Sequence, residues 1–159
     1  IAEFMFDKAQ AVINKNISKV DIPKWRGRLE NLKEEVGYLQ FVQSCIISGI
    51  NNALKENNAR NNAGNTANKK SLILIVKGGF VGVQWKEYPP EKIYKLGRKY
   101  VINKGTEGHI ALGVFCMVYG LVDEARKEFT LVLHIAPDKR GSIEKYLTQI
   151  EEIAHRGAE

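Results

Sequence analysis

The sequence predicts an α+β fold that is mainly α: a long N-terminal helix, a β-hairpin, then a bundle of shorter helices. Three observations carry that expectation. Apolar residues recur at alternating intervals of four and three along Trp25, Leu29, Leu32, Val36, Leu39, Ile46 and Ile50, with Gln43 as the one polar member, which is a helical, heptad-like period. Between Leu72 and Trp85 the period changes to that of strands, with a glycine pair in the middle. From His109 to Pro137, small and bulky apolar residues fall at helical offsets on both sides of Gly120.

The length of 159 residues suits one compact domain with a real core, and 44% hydrophobic with 26% charged residues is a globular composition. No apolar run approaches the roughly 20 residues that span a bilayer, so no membrane insertion is expected. Cys45 and Cys116 both sit among apolar residues in helical patterns. They read as buried free thiols of a reducing, cytoplasmic compartment, with a disulfide between them as the alternative. Neither has a His or second Cys at metal-ligand spacing, which argues against zinc. Ile1–Phe4 ahead of Met5 reads either as a cloning remnant or, preferably, as a cut made inside a larger protein.

Taken in order, Phe6, Ala9, Val12 and Ile13 share one face of a short amphipathic helix over residues 4–16. Asp21-Ile22-Pro23 starts the long helix, with Asp21 placed to accept from free amides and proline tolerated in the first turn. That helix runs to about Glu56. Its stripe is either a coiled-coil seam or the buried face of a bundle helix; Phe41, Val42, Cys45 and Ile47 widen it and favour burial. Residues 57–70 hold six asparagines and no large apolar side chain, so they read as a flexible loop. Leu72–Val76 reads as a strand buried on both faces and Gly78-Gly79 as the turn. Val81, Val83 and Trp85 then share one face of the second strand. A two-stranded sheet is marginal alone and must pack on helices or find another strand. Pro90-Glu91 opens a helix to about Tyr100, two helices follow over about 107–119 and 122–135, and a last one runs from Ser142 to about His155 with Tyr146, Leu147, Ile150, Ile153 and Ala154 inward. The chain thus divides into a helical segment 1–56, a loop 57–70, and a hairpin-plus-helices segment 71–159, together one compact domain.

Leu112, Gly113, Gly120, Ala125, Phe129 and Pro137 stand in the order and spacing of a tetratricopeptide repeat, and the stretch His109 to Pro137 resembles one such unit. His109 departs from the large aromatic usual there, and Val132 from a small residue. The resemblance implies a helical hairpin used for packing and protein interaction, with the helices before Gly105 and after Pro137 as its neighbours. A second resemblance rests on Val83-Gln84-Trp85-Lys86-Glu87-Tyr88-Pro89-Pro90 between the hairpin and a helix. It is to uncharacterised terminal segments of large bacterial multidomain proteins, and it implies an accessory role.

Catalytic and metal-binding motifs do not emerge. His109, His134 and His155 are far apart in sequence without triad or metal spacing. Lys77-Gly78-Gly79 lacks the rest of a phosphate loop. The expected chain is therefore not an enzyme and needs no cofactor or metal. Charge is uneven: residues 1–59 balance at +1, residues 60–104 at +8 and residues 105–159 at −3. Trp85, Tyr88, Lys95, Arg98 and Lys99 are the candidate partner-binding residues. The leading expectation is a protein-interaction or scaffold module, bound to a protein partner or a neighbouring domain of its parent. The long helix or the hairpin offers a surface for homo-oligomers. The alternative is a nucleic-acid- or polyanion-binding domain using the basic segment 60–104.

Overall fold

A computed structural model describes residues 5–57, 67–76 and 79–156. It is mainly helical, with a two-stranded antiparallel hairpin between helical parts, as the periods predict. The chain divides into two compact units, Ile1–Pro89 and Pro90–Glu159. The hairpin falls within the first of these units.

In the first unit, α1 (Phe6–Ile17) pairs with α2 (Pro23–Asn57). Phe6 and Ile13 of α1 are buried, whereas Val12, expected on the same face, is exposed. Asp7 accepts a hydrogen bond from Gln40 of α2 (2.9 Å) and pairs with Lys69, which holds its carboxyl below the usual range, the Lys69 bond being the larger cause. The apolar stripe of α2 splits in two. From Val36 onward it is core, with Val36, Leu39, Val42, Ile46, Ile50 and Leu54 all buried. Toward the N-terminus, Ile22 and Leu32 are exposed and Trp25 is 50% exposed, its ring capped by the Arg28 guanidinium at 4.8 Å. A regular stripe sets the face that is apolar, not how much of its length finds cover.

Strand β1 (Ser71–Val76) pairs with β2 (Gly79–Gln84) in a register that sets Leu72 opposite Val83 and Leu74 opposite Val81. Leu72 and Ile73, on opposite faces, are both buried, as a strand covered on two sides requires. Of the turn expected at Gly78-Gly79, Gly79 opens β2, whereas Gly78 and most of the asparagine-rich loop lie outside the described residues. The end of that loop, expected to be flexible, is instead anchored. Ala67 is buried, and its N–H and C=O both bond the Asn51 side chain of α2 (2.8 and 3.0 Å). Gln43 donates to the Lys69 carbonyl (3.3 Å), and the Trp85 indole donates to the Asn68 carbonyl (2.8 Å). Side-chain amides here supply what a strand partner would otherwise give the backbone. Composition alone missed this because asparagine disfavours regular structure yet matches a peptide group atom for atom.

The second unit holds α3 (Pro90–Tyr100), α4 (Thr106–Val118), α5 (Val122–Ile135) and α6 (Arg140–Arg156). α4 is the centre: every residue from Gly108 to Met117 is buried, because α3, α5 and α6 all pack on it. A helix apolar on all sides belongs inside. α4 and α5 approach closely at Gly113, where an added Cβ would sit 2.6 Å from Cε1 of Phe129. Phe129 in turn stacks on Tyr146 of α6, with centroids 5.6 Å apart and planes 4° from parallel. Gly120 turns the chain between α4 and α5 with φ +77°, a left-handed conformation that glycine adopts without strain. Ile143, Tyr146 and Ile150 form the inner face of α6, whereas Ile153, expected inward, is exposed.

Candidate functional site

Glu128 is the anomaly of the second unit. It follows Ala125 by three residues and precedes Phe129, so helical geometry places it on the inward arc of α5, and its side chain is 0% exposed. An ionised carboxylate cannot stay buried without partners. Three side chains supply them. On α3, Tyr94 and Arg98 stand four residues apart, beside the buried Ile93 and Gly97, and reach toward α5. The Tyr94 hydroxyl donates to Glu128 Oε1 (2.6 Å), and Arg98 Nη1 donates to the same oxygen (2.9 Å). From the first turn of α4, His109 Nδ1 donates to Oε2 (2.6 Å). His109, which the sequence offers no catalytic or metal partner, is thus buried and bonded to the carboxylate.

The electrostatics follow from burial and that charge. Burial, then the hydrogen bond to Glu128, pushes the Tyr94 hydroxyl far above its ordinary value. Burial, then the charge of Glu128, does the same to the Cys116 thiol. At neutral pH the Tyr94 hydroxyl is therefore a fixed donor and the Cys116 thiol stays protonated.

Tyr94 and Arg98 also form one wall of an open groove of about 690 Å³. The other wall is a face of α5 made by Asp123, Arg126, Lys127, Thr130 and Leu131, at the i, i+3, i+4, i+7, i+8 spacing of one helical side. Arg98 is 41% exposed, so its guanidinium touches the buried carboxylate and the groove at once. Lys127 lies 3.9 Å from Glu124, and Arg126 makes no ion pair among the described residues. In the first unit a smaller hollow of about 380 Å³ is bordered by Lys69, Lys70, Lys86 and Trp85.

The candidate binding residues separate. Trp85 is 1% exposed, its indole N–H donates to the Asn68 carbonyl, and it borders the smaller hollow of the first unit. Tyr88, also in the first unit, is half-buried. Lys95, Arg98 and Lys99 all lie on α3, but only Arg98 lines the groove; Lys95 is exposed, and Lys99 Nζ rests 5.0 Å from the Tyr100 ring centroid. Sequence reasoning missed Glu128, Arg126 and Lys127. Glu128 carried a signal: an acid within the stripe Ala125, Glu128, Phe129, Val132 interrupts an otherwise apolar helical face. Among the described residues no three metal-ligating side chains cluster, and no helix is long and apolar enough to cross a membrane. Comparison with known proteins gives no match to a family, to a curated protein or to a solved structure.

Proposed function

We propose that the chain is a non-enzymatic protein-interaction module, cytoplasmic and part of a larger bacterial protein, that receives a partner in the groove between α3 and α5. One observation carries this reading: a fully buried carboxylate, costly to place, fixes two residues that are themselves a wall of the groove. Burying Glu128 gives the second unit little that an apolar side chain would not. Its specific effect is to orient the Tyr94 ring and the Arg98 guanidinium before any partner arrives, which lowers the ordering cost of binding. The α4–α5 hairpin, with Phe129 seated over Gly113, is consistent with the tetratricopeptide resemblance and supports an interaction role over a chemical one.

The test is site-specific photocrosslinking in cells. A photoreactive benzoylphenylalanine at Thr130, in the groove, should give discrete protein adducts that vanish in a Tyr94→Ala background. The same group at Glu144, exposed on α6, should not. Nuclease-sensitive adducts would favour the nucleic-acid alternative, and equal labelling from both positions would remove the reading.

A further inference from the structure

We infer that the groove of the second unit binds an acidic peptide segment of the partner, with carboxylates on Arg98 and Arg126 and an apolar side chain against Tyr94 and Leu131. This deepens the protein-interaction reading and rests on it.

The argument starts from dimensions. The α5 wall extends from Asp123 to Leu131, eight residue steps and hence about 12 Å at the helical rise. An extended peptide advances about 3.3 Å per residue, so the wall matches a segment of about four residues. A volume of about 690 Å³ is of the size of binding sites for small ligands and short segments. The groove is open to solvent, which suits a segment of a longer chain better than an enclosed small molecule.

Chemistry then selects the segment. Three of the lining residues are cationic and one, Asp123, is acidic. The three cations differ in readiness. Arg98 shares its charge with Glu128 through Nη1, but a guanidinium has five N–H donors in a rigid fork, and the rest of the fork remains for the groove side. Lys127 is drawn toward Glu124 in an exposed, weak pair. Arg126 has no acidic partner among the described residues. An arginine held in place from behind, beside a second without a carboxylate, is an arrangement for carboxylates, which pair with guanidinium groups in planar, two-bond geometry. Tyr94 and Leu131 give the same groove an apolar strip, and Asp123 at one end disfavours a continuous line of phosphates.

The probe is a fluorescein-labelled hexapeptide, Glu-Asp-Leu-Leu-Asp-Glu, titrated by anisotropy into the full chain at physiological salt. Controls are its lysine-for-acid counterpart and a thymidine oligonucleotide of similar length. The acidic peptide should bind best. Arg126→Glu should weaken it by about tenfold or more, a change of about 1.4 kcal/mol by the usual conversion. Lys95→Glu, on α3 outside the groove, should change it by no more than about twofold, as expected of a rim charge remote from the contact. Circular dichroism confirms that both exposed-site variants stay folded. No preference for the acidic peptide, equal losses in the two variants, or tighter binding of the oligonucleotide would each overturn the inference. If the peptide fails while the Thr130 crosslink persists, the partner's chemistry is wrong and the interaction reading stands. If both fail, the reading falls as well.

Discussion

Gly113→Ala should destabilise the second unit, although alanine is by far the better helix former. The added Cβ would lie 2.6, 2.7 and 3.0 Å from Cε1, Cζ and Cδ1 of Phe129, well inside van der Waals contact. A ring edge can swing away when it has room, but Phe129 is fully buried and Tyr146 is stacked on it, so the helices themselves must separate. Overpacking of this kind costs about 1–3 kcal/mol, and with the ring trapped the upper half of that range applies. Replacing glycine by alanine inside a helix returns about 1 kcal/mol. The net loss is about 1–2 kcal/mol, which for a unit of this size lowers Tm by about 4–16 °C. Gly141→Ala is the matched control: it lies in α6 of the same unit, and its Cβ would meet nothing within 4 Å. That change should leave Tm unchanged or slightly raised. Calorimetry on the whole chain measures both, and tryptophan fluorescence follows the first unit separately, since Trp25 and Trp85 both lie there. A Gly113→Ala variant as stable as Gly141→Ala would show that Phe129 yields freely and that the close α4–α5 approach is not set by the missing side chain.

Three further outcomes are expected. Glu128→Ala should cost about 3 kcal/mol in urea unfolding, the low end for breaking a buried ion pair, because the part-exposed Arg98 can return to water while His109 cannot. In alkaline titration, burial pushes Tyr119 up to about 12 from 10.0. The folded state thus favours the protonated phenol, so this contribution to stability is complete below about pH 10 and is lost as pH rises through about 12; ultraviolet absorbance should show Tyr119 ionising late and Tyr94 later still. A thiol reagent should label Cys45, which is partly accessible, well before Cys116, which is buried and has its thiol raised; equal rates would contradict the buried position of Cys116.

Most of the fold was legible because period is a local property. The switch from helical to alternating spacing at Leu72, the proline at the start of α3 and the Gly120 turn each act on their own few residues, and each appears within one or two positions of where the chain placed it. What was not legible depends on contacts distant in sequence. Trp25 and Ile46 occupy equivalent places in one apolar stripe, yet one is half exposed and the other fully buried, because cover is decided by what packs against each end of α2. The groove was hidden for the same reason. Tyr94, Arg98, His109 and Glu128 come from three helices, and only the polar residue inside the α5 apolar face hinted that something must come to meet it.

The wiring of Glu128 bears on how such a unit could multiply. An array of helical hairpins grows by copying one self-contained segment, and each copy must bury its own surface against the next. The α4–α5 hairpin is not self-contained in that sense. Its carboxylate takes one donor from within the hairpin, His109, and two from α3, which precedes it. A duplicate of residues 109–137 alone would carry a buried charge two donors short wherever it was inserted. The smallest portable piece begins at Pro90, and its groove would be copied with it.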